Sequence, residues 1–134
     1  TKNLYFIFTN FSGFLVKSGF KDPAFMLAFV TWVSVAASSF MDNVPYTILM
    51  IPVCRNLAEI IGMSAWPLLF GMLVGTGIGG NITPVGAAAN VFACGILEKH
   101  GYKIVLKEYL KIGVPFSIAA VATVHILLQI FWLK

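Results

Sequence analysis

Long apolar runs, separated by short polar interruptions, make up most of the chain. An α-helix rises about 1.5 Å per residue, so about 20 residues are needed to cross the hydrocarbon of a bilayer. The run 112–133 carries no formal charge and reaches this length, and 4–20 reaches it if its flanking lysines extend to the interface. The pattern therefore predicts an all-α membrane protein with one transmembrane helix at each of these two ranges.

Two further apolar stretches are each interrupted by polar residues. Asp42 and Asn43 divide the range 24–61, and Gly79–Gly86 divides the range 65–97. Irregular backbone at membrane depth is tolerated only where protein or a water-filled cavity surrounds it. We therefore predict a re-entrant helical hairpin over 24–61 and a discontinuous helix over 65–97, an arrangement that transporters place around their substrate sites. The alternative is a pair of ordinary kinked spans.

Composition agrees with a protein of the bilayer. Hydrophobic residues make up 59% of the 134 residues and charged residues 10%, against about 45–50% and about 25% in soluble domains. A soluble enzyme, a nucleic-acid binder and a disordered chain are disfavoured, and no Ser-His-Asp set, phosphate loop or zinc cluster suggests catalysis. We expect a lipid bilayer as the surroundings and no nucleic acid as a partner. Cys54 and Cys94 are too few for a disulfide scaffold, and each is expected to be a small buried apolar residue.

A basic segment precedes the last apolar run and predicts the orientation of the chain. Residues 98–111 contain Lys99, Lys103, Lys107 and Lys111. Lysines concentrate in the cytoplasmic loops of membrane proteins, so we predict a cytoplasmic loop here. We also expect the protein to lie in the plasma (inner) membrane. An amphipathic helix at the interface is an alternative conformation for the same segment.

Asp42 is the strongest candidate for chemistry. A charged side chain at the centre of a membrane helix costs about 2.5–3.5 kcal/mol, so it needs a partner, water or a coupling ion. A carboxylate next to the Asn43 carboxamide and to freed backbone carbonyls suits a hard cation, or can carry a proton. Alternatively, Asp42 caps the following helix while Asn43 tightens the turn. The two roles are compatible.

The Gly-rich interruption is the second candidate. Its glycines and proline disfavour a regular helix over Gly79–Gly86. Asn81, Thr83 and the released backbone groups supply ligands without adding charge, and a helix that restarts after Gly86 would offer a partly positive end to an anion. Asn90, one turn further on, would face the same cavity. The alternative is a kink that serves only packing.

Two other features have a structural and a functional interpretation. Gly71, Gly75 and Gly79 repeat at four-residue spacing, which favours close approach of a neighbouring helix. His125 lies in the charge-free last run. A proton relay is one interpretation of this residue, and a histidine that is hydrogen-bonded within the helix bundle is the favoured one.

Three stretches resemble, in combination, the ion transporter superfamily. The first is Ser38–Thr47 followed by Met50–Pro52, and the second is Gly79–Asn90. The third is Glu98–Lys103 followed by Glu108–Pro115. The branch that they resemble most is the arsenite pump and sodium–proton antiporter group, with P protein-like and citrate transporter-like permeases as relatives. An Asp at position 42, where dicarboxylate symporters have Ser, favours this branch.

The resemblance implies that the chain is one of two inverted repeats, the C-terminal half of a secondary transporter. A missing N-terminal repeat would supply the other half of the site, and a homodimer is a possible assembly. The implied function is transport of an anion or metalloid oxyanion, or sodium–proton exchange, with sodium or a proton as coupling ion and no other cofactor. The rival hypothesis is a small structural or accessory membrane subunit. The implied binding residues are Asp42, Asn43, Thr47, Gly80, Asn81, Thr83 and Asn90, with Asp42, Asn43 and Asn81 as candidate sodium ligands.

Overall fold

The computed structural model describes Phe6, Asn10 and residues 22–132. Within this part of the chain the backbone is helical, with no strand. The helices are α1 (Pro23–Ser38), α2 (Asn43–Ile61), α3 (Ala65–Gly79), α4 (Ala88–Lys99) and α5 (Leu106–Trp132). Apart from Phe6 and Asn10, the predicted first span at 4–20 lies outside the described residues.

Local sequence signals account for where the helices begin and end. Asp22 accepts a hydrogen bond from the amide of Ala24 and Pro23 opens α1, a position where a missing amide hydrogen does no harm. The hydroxyl of Ser64 accepts from the amide of Trp66 at the start of α3. Gly62 ends α2 with a φ of 74°, a left-handed conformation that glycine adopts without strain.

The glycine stripe of α3 lies directly against α1. A Cβ atom placed on Gly79 would lie 2.5 Å from the carbonyl oxygen of Val35 and 2.7 Å from its Cα atom. A Cβ atom placed on Gly75 would clash with the carbonyl oxygen of Thr31, and one placed on Gly71 would clash with the Thr31 side chain. The prediction of close helix approach is confirmed. In a bilayer such contacts matter because van der Waals packing, rather than exclusion of water, holds helices together.

The core lies among α1, α2 and α3. Helix α3 packs against both of the others, and the buried cluster consists of Met26, Leu27, Val30, Tyr46, Met50, Val53, Cys54, Leu57, Ala58, Leu68 and Met72. Helix α5 adds only Ser117 and Val121 to the buried set, and α4 adds no residue. Cys54 is buried as expected, whereas Cys94, on α4, is only partly buried. The expectation for Cys94 was wrong because its helix packs against no other described helix.

Both predicted interruptions coincide with breaks in helical backbone. The link between α1 and α2 covers residues 39–42, and the break between α3 and α4 covers residues 80–87. By length and composition, α2 and α5 are each capable of crossing a membrane, and α1 and α3 are shorter apolar helices. The re-entrant path of 24–61 and the inverted-repeat plan stay predictions.

The last helix begins earlier than its charge-free core. We expected a loop over 98–111 and a span from 112, but α4 continues to Lys99 and α5 starts at Leu106. Only residues 100–105 connect the two helices. The reason is that Lys and Glu are good helix formers. Their charges keep this part of the helix out of the hydrocarbon, but they do not end the helix.

Candidate functional site

Asp42 closes the link and caps the next helix. One oxygen of its carboxylate, Oδ1, accepts a hydrogen bond of 3.0 Å from the amide of Val44. The side chain is only partly buried. Its second oxygen makes no hydrogen bond within residues 22–132. The capping role allowed by the sequence is therefore present, and among the described residues it leaves one carboxylate oxygen available to water or an ion.

Ser38 joins the link to α3. Its buried hydroxyl lies 2.5 Å from Oδ1 of Asn43 and 2.8 Å from the carbonyl oxygen of Thr76. A hydroxyl has one proton, so Ser38 shares that proton between the two acceptors. The Asn43 carboxamide is thereby fixed in orientation. It packs against Gly80, where an added Cβ would lie 2.8 Å from the Asn43 Oδ1 atom.

Gly86 of the break lies close to the end of α1 and to the link. A Cβ atom placed on it would lie 2.5 Å from the carbonyl oxygen of Gly80, 2.9 Å from that of Ser38 and 3.0 Å from that of Ser39. Three carbonyl oxygens from two separate segments thus surround one side of a single residue. Only glycine fits this position, and the carbonyls create a local region of negative potential.

Two side chains of the break are used to hold its shape. The buried hydroxyl of Thr83 donates to the carbonyl oxygen of Ser39, across the gap between break and link. The carboxamide nitrogen of Asn90 donates to the carbonyl oxygens of Gly80, at 2.9 Å, and of Thr83, at 3.3 Å. These bonds satisfy backbone groups that the interrupted helix cannot pair. We refer to the connected residues as the junction: Ser38, Ser39, Asn43, Thr76, Gly80, Thr83, Gly86 and Asn90.

Helix α5 supports the break from its other side. A Cβ atom on Gly113 would lie 2.8 Å from the carbonyl oxygen of Asn81 and 3.1 Å from that of Ile82. One turn further on, the buried hydroxyl of Ser117 donates to the carbonyl oxygen of Ile78, at 3.3 Å. The break is therefore held between the α1–α2 link and the last helix.

Four helix ends meet at the junction. Helices α1 and α3 end there, and α2 and α4 begin there. Carbonyl ends carry a partial negative charge and amide ends a partial positive charge. Asp42 caps the start of α2, whereas Ala87 precedes α4 and provides no side-chain cap. The junction thus offers carbonyl oxygens suited to a cation beside an amide end suited to an anion.

The structure connects some of the predicted residues and separates others. Hydrogen bonds or close contacts link Asn43, Gly80, Thr83 and Asn90, and Asp42 directly precedes Asn43. Asn81 and Thr47 lie elsewhere, each beside a cavity.

Asn81 is exposed and borders a cavity of about 300 Å³. The other residues of that cavity belong to α5: Tyr109, Ile112, Gly113 and Phe116. No hydrogen bond joins the Asn81 side chain to another residue of the described chain. Thr47 borders a different cavity, of about 380 Å³, between α2 and α3, together with Arg55 and Leu69. The predicted set is therefore distributed over the junction and two neighbouring cavities.

Several residues of the junction were not singled out by sequence reasoning. Ser38, Ser39 and Thr76 take part in it, and Ser117 and Gly113 of α5 support the neighbouring backbone. The serine pair immediately before the link is the one local signal that could have identified Ser38 and Ser39. The others act through partners distant in sequence, so no local pattern marks them.

His125 is hydrogen-bonded within α5, in agreement with its favoured interpretation. Its Nε2 atom lies 2.9 Å from the carboxamide nitrogen of Gln129. Because that nitrogen can only donate, Nε2 accepts, and a neutral His125 carries its proton on Nδ1. Nδ1 is buried without a partner among the described residues.

The citrate transporter family matches residues 6–133. The P protein of Mus musculus is 43% identical over 105 residues, which cover 75% of this chain and 13% of that protein. An uncharacterized transporter of Synechocystis is 32% identical over 112 residues, or 72% of this chain and 24% of its own length. A 46 kDa membrane protein of Mycobacterium leprae is 35% identical over 104 residues, which cover 76% of this chain and 24% of that protein.

No solved structure matches the chain. The chain spans a small part, between about an eighth and a quarter, of the relatives described. The family match nevertheless covers almost the whole sequence and includes the link, the break and the last helix. The apolar helices and the membrane-protein relatives agree in making this an integral membrane protein. The chain belongs to the citrate transporter family.

Proposed function

We propose that the chain forms half of the substrate site of an ion-coupled secondary transporter that carries a small anion. The observation that carries this proposal is the meeting of four helix ends beside one carboxylate. Transporters use such ends to bind substrate anions at amide termini and coupling cations at carbonyl termini. The N-terminal part of the full-length protein would supply the other half of the site, and the protein would work in the plasma membrane.

The ligand chemistry favours a monovalent coupling ion. Asp42 carries the only carboxylate among the described residues of the junction and its link, and the other oxygens there belong to neutral hydroxyl, carbonyl and carboxamide groups. No group of three His, Cys, Asp or Glu side chains lies together in the described part of the chain. A single carboxylate balances the charge of one sodium ion, whereas high-affinity sites for divalent cations typically use several carboxylates. A proton on Asp42 is the alternative coupling ion.

The substrate anion is assigned to the start of α4. Residues Ala88 and Ala89 lie in its first turn, Ala87 offers no side-chain oxygen to their amides, and both are exposed. A carboxylate or oxyanion would accept hydrogen bonds from these backbone amides. This geometry supports transport of a carboxylate or a metalloid oxyanion more directly than sodium–proton exchange without an anion.

The test uses the full-length protein in proteoliposomes. We expect Asp42→Asn to abolish uptake driven by a sodium or proton gradient, because Asn still caps α2 but carries no charge. Asp22→Asn is the matched control, since Asp22 caps α1 through a similar bond and lies outside the junction. Uptake and ion dependence at the wild-type level in Asp42→Asn would contradict the proposal.

A further inference from the structure

One face of the first turns of α5 combines positive charge with apolar side chains. The face borders a groove of about 700 Å³ and consists of Leu106, Lys107, Leu110, Lys111, Val114 and Pro115. We refer to these six residues as the basic face. They follow helical spacing, so they lie along one side of α5, and the break and the end of α3 contact Gly113 and Ser117 on the adjacent side.

The charges of the basic face are not paired with any side chain in the described part of the protein. Lys107 and Lys111 lie one turn apart and are both exposed. Glu108 lies between them in sequence but does not border the groove. Neither lysine forms an ion pair or a hydrogen bond with the described residues. Two neighbouring ammonium groups that are not paired with a carboxylate among the described residues are complementary to an anion.

The length of α5 places these lysines at the level of lipid headgroups. A helix of 27 residues is about 40 Å long, whereas the hydrocarbon core is about 30 Å thick. If the charge-free part from Ile112 fills the hydrocarbon, the excess of about 10 Å corresponds to residues 106–111. Leu110 and Val114 then lie at the boundary where acyl chains begin, and the ammonium groups lie beside the phosphates.

We propose that the basic face is a binding site for an anionic phospholipid. The phosphate of the headgroup binds Lys107 and Lys111, and an acyl chain packs along Leu110 and Val114. A lipid fits better than a free phosphate because most of the groove is apolar. Each lysine near a membrane surface contributes about 1 kcal/mol of attraction to anionic lipid. This site is separate from the junction, so it does not depend on the transport proposal.

Native mass spectrometry of the full-length protein in detergent tests the site, with phosphatidylglycerol and phosphatidylcholine as probes. We expect retained phosphatidylglycerol, and a loss of roughly thirtyfold in its affinity for Lys107→Gln/Lys111→Gln. Lys107→Arg/Lys111→Arg should retain the lipid because it retains the charge. Lys99→Gln/Lys103→Gln is the matched control, since it removes two charges from the same segment but outside the basic face.

Three results would overturn the proposal. The first is equal binding of phosphatidylglycerol by the wild type and by Lys107→Gln/Lys111→Gln. The second is an equal loss in the Lys99→Gln/Lys103→Gln control, which would indicate nonspecific attraction to the whole segment. The third is displacement of the lipid by inorganic phosphate at similar concentration, which would indicate a simple anion site. Size-exclusion profiles of all variants establish that the exposed substitutions leave the protein folded.

Discussion

The hydroxyl of Thr83 donates a hydrogen bond to the backbone carbonyl of Ser39. Thr83 belongs to the break between α3 and α4, and Ser39 to the link between α1 and α2. Both residues are buried. The bond therefore fastens together two interruptions that lie far apart in the sequence, and it fixes the distance between the carbonyl groups of the junction.

Replacement of Thr83 tests this connection. In Thr83→Val the buried carbonyl of Ser39 loses a donor, so we expect a destabilisation of about 1–3 kcal/mol and a marked loss of uptake. Thr83→Ser keeps the hydroxyl and should remain close to the wild type. Thermal unfolding of the purified full-length protein and flux in proteoliposomes are the measurements. Thr123→Val is the control, because that hydroxyl bonds only within α5 and is exposed. Wild-type stability of Thr83→Val would refute the role.

Gly75 and Gly77 form a matched pair on α3. A Cβ at Gly75 would meet the Thr31 carbonyl and lie 3.0 Å from the Ser34 side chain, whereas a Cβ at Gly77 has no neighbour within 4 Å. We expect Gly75→Ala to separate α1 from α3, with a loss of about 1–3 kcal/mol or more. Gly77→Ala should be neutral or stabilising by up to about 1 kcal/mol, because Ala favours helix. Thermal melting curves measure both, and similar curves for the two variants would contradict the packing described.

Gly113 supports the break without belonging to the junction. The added Cβ of Gly113→Ala would clash with the carbonyl groups of Asn81 and Ile82 and displace the break. We expect reduced uptake, or a changed concentration dependence for substrate, with normal membrane insertion. Gly95→Ala on α4 is the control, since nothing lies within 4 Å of its added Cβ. Equal uptake by both variants would show that the contact has no functional effect.

Accessibility to water distinguishes a transport site from a packing kink. In a full-length background from which every native cysteine, including Cys54 and Cys94, has been removed, we expect a membrane-impermeant maleimide to label Met41→Cys in the link and Asn81→Cys in the break. Ile118→Cys is the control, because Ile118 is similarly exposed in the fold but lies on the apolar α5. Labelling is followed by the mass shift of the protein. Protection of all three positions would favour the structural or accessory subunit.

The interruptions of the helices were predictable because their causes are local. Asp42 favours a helix start, and glycine with proline disfavours helix wherever they occur. The beginning of α5 was not predictable from charge, because Lys107 and Lys111 stop insertion into hydrocarbon but not helix formation. The glycine stripe of α3 was recognised from its spacing alone, and its partner α1 became known only from the fold.

The sequence by itself determined the membrane class, the two polar interruptions and the candidate residues near them, since each depends on neighbours within a few positions. The tertiary structure alone decided which of these residues meet. It brought Asn43 and Gly80 together, linked Thr83 to Ser39, and placed Thr47 and Asn81 beside separate cavities. The physical reason is that the contacts of a polar side chain at a helix end depend on the neighbouring helix. That neighbour is set by packing along the whole length of α1 and α3.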